Sequence, residues 1–264
     1  MARPPLPVAR LSALLAVLVG AWVVLHARRE PHWRELRSGL EFTTFRGEPY
    51  CRHGSSQIAV LRLDPARVRL RVLHYTRADA DQPLTIVQWQ RATGALAVFN
   101  AGQFYPDYSY MGLLVSDGRP VFTRPHPMFH AALVAAPGPG HPRARVLDLE
   151  REPLDPDSVR WPDVAQSYML FDRRGARVRE SGLVANRTAV AEDAGGHVLV
   201  FTSEGGYTLF EFARLLRQSP FALTHAMGMD GGDEAEMLVT TPEFRYASFG
   251  RIADSGDVPA AGAL

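Results

Sequence analysis

Lysine is missing altogether: all 29 basic residues of the 264-residue chain are arginines, set against 28 acids. Without lysine the chain cannot form a Schiff base through a side-chain amine, nor build a Walker-type phosphate loop. Cysteine is almost as scarce. Cys51 alone allows no intramolecular disulfide and no cysteine-based zinc cluster, and its early setting, "GEPYCRHGSS", reads as a bystander thiol. A dominant charge is lacking too. The net charge of +1 argues against a nucleic-acid-binding surface, which would carry a basic excess. No internal repeat is visible. What remains, 46% hydrophobic over this length, suits one globular domain with ample material for a core.

A long hydrophobic run is also lacking. The apolar stretch from Leu11 to Leu25 follows Arg3 and Arg10 and is closed by Arg28 and Arg29. It is short for a comfortable membrane span and reads as a signal-peptide core or a brief signal anchor. No clean small-x-small step follows it, which favours an uncleaved anchor. The flanking arginines are nearly balanced, so orientation stays open. The expected plan is a signal peptide or anchor over 1–29, a juncture over 30–57, a folded domain over 58–250 and a flexible tail over 251–264. The body is expected in the cell envelope, on the periplasmic or extracellular face.

Hydrophobic period then fixes the elements. "IAVLRLD" and "VRLRVLHY" read as strands around Asp64-Pro65-Ala66, the second alternating Val68, Leu70 and Val72 with arginines. "QPLTIVQWQRATG" reads as a helix stopped by Gly94, and "GLLVSDGRPVF" as a hairpin around Asp117-Gly118. The Pro- and Gly-dense stretch "AAPGPGHPRARVLDLEREPLDPDSVRWPD" suits a surface excursion. "VAQSYMLFDRRGA" and "NRTAVAEDAGGHVLVFTSEGG" add strands, the latter a hairpin through Asp193 to Gly196. "TLFEFARLLRQ" is a helix with a Thr208/Glu211 capping box, and "ALTHAMGMDGG" a last apolar strand. Hairpins with two main helices predict a single α+β domain built on a mixed, mostly antiparallel sheet.

Two strands end in a polar residue before glycine, "AVFNAGQF" and "MGMDGGDE". If both ends emerge on one edge, Asn100 and Asp230 converge, and the glycines let a ligand approach backbone amides. Arg187, in "ANRTAVAED", heads another strand, where a guanidinium can grip phosphate through two parallel hydrogen bonds. Each motif alone also suits a plain turn or a surface arginine.

Taken in order, "FNAGQFYPDYSYMGLLVSDGRPV", "QSYMLF", "NRTAVAEDAGGHVLVFTSEGGYTLFEFARLL" and "AMGMDGG" resemble the phosphodiester glycosidase domain family, its bacterial envelope branch in particular, over about residues 58 to 240. The resemblance implies a site of Asn100, Gly102, Gln103, Tyr105 and Asp107 from the first loop, Gln166 and Ser167, then Arg187, Glu204 and the Asp230-Gly231-Gly232 turn. Phe104, Tyr105 and Tyr108 would pack against sugar. Two departures stand out. The family follows its Asp-Gly-Gly with small hydroxyl residues, whereas here Asp233-Glu234-Ala235-Glu236 follow. Its Gln-Ser-Gly-Pro becomes Gln166-Ser167-Tyr168-Met169.

The implied reaction cleaves a sugar's anomeric bond to a phosphodiester oxygen. It needs charge neutralisation at phosphate, the role of Arg187, Asn100 and backbone amides, and a carboxylate near the anomeric carbon. Asp230 is the expected carboxylate, with Asp107 or Glu204 as partner. No cofactor is required on this reading. A sugar phosphate or anionic glycan is the expected partner, with no nucleic acid, and membrane contact only through the N-terminal segment. Two other readings stay open. One is a non-catalytic envelope protein that binds or helps assemble an anionic polysaccharide. The other is a hydrolase using Ca²⁺ or Mg²⁺ on Asp230, Asp233, Glu234 and Glu236.

Overall fold

A computed structural model describes residues 31–251, except 79, 136–142, 157–159 and 181. The Leu11 to Leu25 run and nearly all of the expected tail lie outside the described residues. The longest apolar runs form the centre of the molecule. The largest sheet has the order β1 (Arg34–Arg37), β2 (Leu40–Arg46), β3 (His53–Leu63), β14 (Val198–Thr208), β13 (Arg187–Asp193), β15 (Leu223–Gly231), β10 (Met169–Asp172) and β11 (Gly175–Ala176). The short β12 (Val184–Ala185) also joins β14. A five-stranded sheet runs β6 (Arg119–Phe122), β5 (Leu114–Ser116), β9 (Asp163–Ser167), β7 (Ala131–Ala135) and β8 (Ala144–Asp148). A three-stranded sheet runs β17 (Phe244–Ser248), β16 (Met237–Thr241) and β4 (Ala97–Phe99). Every ladder among the described residues is antiparallel.

The alternation along β14 shows why its sequence is apolar throughout. Val198 and Val200 face a core shared with Leu61, Leu133, Met227 and Val239. Leu199 and Phe201 face the opposite core, with Ile58, Ala191, Phe212 and Leu216. Both faces are covered, so alternation gives way to a continuous run. The covering helix, α2 (Leu209–Gln218), encloses Phe212 and Leu216 completely. Burying each contributes about 1.5–3 kcal/mol.

Both expected helices form at their expected ends. In α1 (Ile86–Thr93), Thr85 and Gln88 make a reciprocal capping box, and Gly94 takes the left-handed stop with φ 66°. In α2 the Thr208 hydroxyl accepts from the Glu211 amide at 3.2 Å, but the reciprocal half is missing. The Glu211 carboxylate instead takes the Thr208 hydroxyl and the Arg52 guanidinium. The Asp117-Gly118 turn has positive φ at both positions, 52° and 71°, as a hairpin of this length demands.

Two expectations are corrected. Residues 30–57 are no juncture: they supply β1, β2 and the start of β3, and β1 is an edge strand whose charged, exposed residues hide its pattern. "VRLRVLHY" forms no ladder. It crosses over the core, packing Val68 and Leu70 inward, and the Ser116 hydroxyl donates to the Val72 carbonyl at 2.8 Å. A period of two reports one buried face, which an unpaired extended segment also provides.

The packing of β14 against the start of β3 depends on Gly205. A Cβ there would lie 2.3 Å from the Ser55 carbonyl oxygen and 2.6 Å from that of His53. Gly205→Ala should therefore lower stability by about 1–3 kcal/mol through forced strand separation. Its denaturant midpoint should fall below wild type, and an unchanged midpoint would contradict this packing.

Candidate active site

The end of β4, the end of β15 and the start of β13 meet at one point. The Asn100 amide nitrogen donates to the Asp230 carbonyl at 3.0 Å and to the Ala101 carbonyl at 3.1 Å. Its amide oxygen accepts from the Glu236 backbone at 3.1 Å, and the Asp230 N–H donates to Ala101 at 2.9 Å. Asn100 and Asp230 thus converge as the sequence suggests. The Asn100 side chain, however, is engaged by main chain on every side, so it positions Asp230 and is not presented to a ligand.

Arg187 pairs with Gly231 across β13 and β15, where the register shifts by a bulge. It is buried. Its Nε donates to the Tyr207 carbonyl at 3.0 Å and its Nη2 to the Leu183 carbonyl at 2.8 Å. Those two bonds take two of the five guanidinium N–H donors. Nη1 makes neither bond; it would stand 3.2 Å from a Cβ on Gly231, and only glycine leaves that room. Burial lowers the Arg187 pKa, with Tyr168 and Asp230 acting in the opposite direction.

The Asp230 carboxyl is pushed up by burial and pulled back by the Gly231 N–H, at 2.8 Å, and by Arg187. Beside it stands Tyr168, between β9 and β10, its hydroxyl donating to the Met229 carbonyl at 3.1 Å. Its ring lies where a Cβ on Gly228 would come within 2.3 Å, and burial pushes its phenol up to about 12. The amides expected to cradle a ligand are closed internally. Gly231 donates to its neighbour's carboxylate, and Gly232 donates to the Asn186 carbonyl at 3.0 Å.

The remaining predicted residues divide into frame and rim. The Gln166 side chain is buried and makes four bonds, accepting from the amides of Leu113 and His126 and donating to the carbonyls of His126 and Phe129. Ser167 donates to the Gly228 carbonyl at 2.6 Å, and Gln103 donates to the Met229 carbonyl at 3.2 Å. Gly102 is walled in, a Cβ there lying 2.5 Å from the Tyr110 hydroxyl. Ser167 and Gln103 thereby hold the Asp230 strand. Tyr105 and Tyr108 are exposed, and Phe104 stacks on Tyr108 at 5.9 Å, which leaves aromatic faces available to a sugar.

Neither proposed carboxylate partner reaches Asp230. Asp107 is exposed and closes its own turn, accepting from the Ser109 amide at 3.0 Å and hydroxyl at 2.6 Å, bonds that lower its pKa. Glu204 accepts from Gln57 at 2.7 Å and from Tyr246 at 2.9 Å. Tyr246 packs on the core of Met227 and Met229, whereas Tyr168, beside Asp230, packs on that of Phe171 and Phe212. Glu204 therefore lies on the other face of the sheet. The carboxylate within Asp230's electrostatic reach is Glu234, on the 3-10 turn Gly232–Glu234. Glu234 is exposed as a residue, yet its carboxyl is partly desolvated. That desolvation raises its pKa, and the fields of Asp230 and Asp233 add to the rise. Glu236 is raised to about 7, by burial first and then by Glu234. Among the described residues no three His, Cys, Asp or Glu side chains gather as a metal site.

A family model for phosphodiester glycosidase matches residues 93–259. The chain belongs to that family. Among solved structures it is similar to the catalytic domain of zebrafish N-acetylglucosamine-1-phosphodiester alpha-N-acetylglucosaminidase, auto-inhibited by its pro-peptide. The TM-score is 0.57 at 17% identity, covering 82% of this chain and 80% of that one. It is also similar to a hypothetical protein from Synechocystis, with TM-score 0.56 and 13% identity, over 84% of this chain and 63% of that one. Identities this low establish the shared fold alone. No curated protein sequence matches the chain. Within this phosphodiester glycosidase fold, sequence reading missed Tyr168 as a neighbour of Asp230, and grouped Glu234 with Asp230 only as a possible cation ligand. Both stand at the positions where the chain departs from the family pattern, and that was the available signal.

Glu236 gives a pH signature. Its folded pKa lies above its ordinary value of 4.5, so its contribution is favourable below about pH 4.5 and is lost as pH rises through about 7. Glu236→Gln should leave the melting temperature nearly unchanged at pH 4 and raise it relative to wild type at pH 8. A difference independent of pH would contradict the burial of this carboxyl.

Proposed function

We propose that this protein hydrolyses the anomeric bond of a glycosyl-1-phosphodiester on an envelope or extracellular glycan. Family membership supports a glycosidase-type hydrolase. The observation that carries the finer reading is the pairing of Arg187 with Gly231, which sets a buried cation beside the Asp230 carboxyl. In the reaction the anomeric C–O bond breaks, its electron pair staying on the phosphate oxygen, and water supplies the new hydroxyl to the anomeric carbon. The departing phosphomonoester is a weak base, with a second pKa near ~6, so a strong general acid is less necessary than for an alcohol. Asp230, as carboxylate, would stabilise positive character at the anomeric carbon or receive the proton of water. Glu234, its pKa raised by desolvation and by the fields of Asp230 and Asp233, is the second carboxyl. Arg187 Nη1 offers a point charge to the phosphate, and Tyr105 and Tyr108 offer sugar-packing faces. No cofactor enters this scheme.

The Leu11 to Leu25 segment would carry the body across the inner membrane, and a reporter fused after residue 40 should be active only outside the cytoplasm. Activity confined to the cytoplasm would overturn that placement.

Asp230→Asn keeps the shape of the turn and removes the charge. Turnover of a glycosyl-1-phosphodiester should fall about 10²–10³-fold, the equivalent of ~3–4 kcal/mol of transition-state stabilisation, while binding survives. If wild type binds an anionic glycan, hydrolyses none of a panel of such diesters, and Asp230→Asn binds more tightly through lost repulsion, the protein is a polysaccharide-binding protein instead.

A further inference from the structure

A cavity of about 650 Å³ opens between β3, the crossing segment 67–73, α1 and β4. That volume is in the range of small-molecule sites, roughly 300–1,000 Å³. Leu61, Leu63, Leu70, Ile86, Trp89 and Phe99 make the larger part of its wall apolar. Charge borders it unevenly. Arg37 and Arg69 line it, and neither guanidinium makes an ion pair or hydrogen bond among the described residues, whereas Arg67 is paired with Asp64 and Arg71 with Asp117. Glu234 and Glu236 line the part beside Asn100.

An apolar enclosure of this size gains from a hydrocarbon chain, and two unpaired guanidinium groups at its border gain from an anion. The unpaired guanidinium groups fix the orientation: head at Arg37 and Arg69, chain against Trp89 and Phe99. We propose that this cavity binds a single-chain amphiphile with an anionic head, of the fatty-acid or lysophospholipid class. The cavity reaches the candidate active site at Glu234, but the proposed head-group contacts, Arg37 and Arg69, take no part in the reaction proposed above.

The test uses the full chain in lipid nanodiscs titrated with 12-bromododecanoate, quenching of Trp89 being the difference between wild type and Trp89→Phe. Saturable quenching is expected, with 12-bromododecanol at least about fivefold weaker for want of the ionic contact. The variant Arg37→Ala/Arg69→Ala should bind the acid no better than the alcohol while keeping the wild-type melting temperature. Unlabelled dodecyl phosphate should compete, which would mark the head as any anion, and inorganic phosphate should not. Quenching that grows linearly without saturation, equal affinity for acid and alcohol, an unaffected double variant, or displacement by inorganic phosphate alone would each overturn the proposal.

Discussion

The carboxamide of Asn100 is the tie on which the candidate site depends. It holds the end of β4 in one sheet, the Asp230 carbonyl at the end of β15 in another, and the Glu236 amide on the way into β16. Each bond alone is worth on the order of 1 kcal/mol, but leaving these half-buried groups unpaired would cost more than the bonds contribute. With the tie in place, the Asp230-Gly231-Gly232 turn cannot move independently of β4. Its register against Arg187 on β13 then follows from the sheet ladder. Gln103, Ser167 and Tyr168 complete the frame by bonding Gly228 and Met229.

That frame also explains the electrostatics. A carboxyl held inside the protein is pushed up by desolvation, and Asp230 is restrained from rising further by one amide and one guanidinium. Glu234 and Glu236 have no such relief among the charges that act on them, and each is raised by an acidic neighbour as well as by burial. The acidic run that replaces small residues after Gly232 therefore does not present three full negative charges at neutral pH. Repulsion of a phosphate is weaker than the sequence suggests.

Much of this was legible in the sequence because it followed local rules. The capping residues of α1, the Asp117-Gly118 turn and the β13–β14 hairpin carry their own punctuation, and the convergence of Asn100 with Asp230 follows from two strand ends marked by glycine. Roles were harder. Asn100, Gln166 and Ser167 have the chemistry of ligand-binding residues, yet their partners are backbone groups far along the chain, which no local pattern reveals. Arg187 heads a strand as expected, but the carbonyls that take its Nε and Nη2, Tyr207 on β14 and Leu183 just before β12, are brought to it only by folding. Glu204 and Asp107 were misjudged for a similar reason: β14 is irregular between Ser203 and Gly205, and a turn-closing aspartate looks like a catalytic one.

The central claim is that Asp230 and Arg187 Nη1 form the reaction centre. A crystal of the Asp230→Asn protein soaked with an uncleaved glycosyl-1-phosphodiester tests it most directly. The account predicts the anomeric carbon against residue 230, the phosphate on Arg187 Nη1, and the sugar face against Tyr105 or Tyr108. A ligand bound only elsewhere, with Arg187 Nη1 and residue 230 untouched, would contradict it.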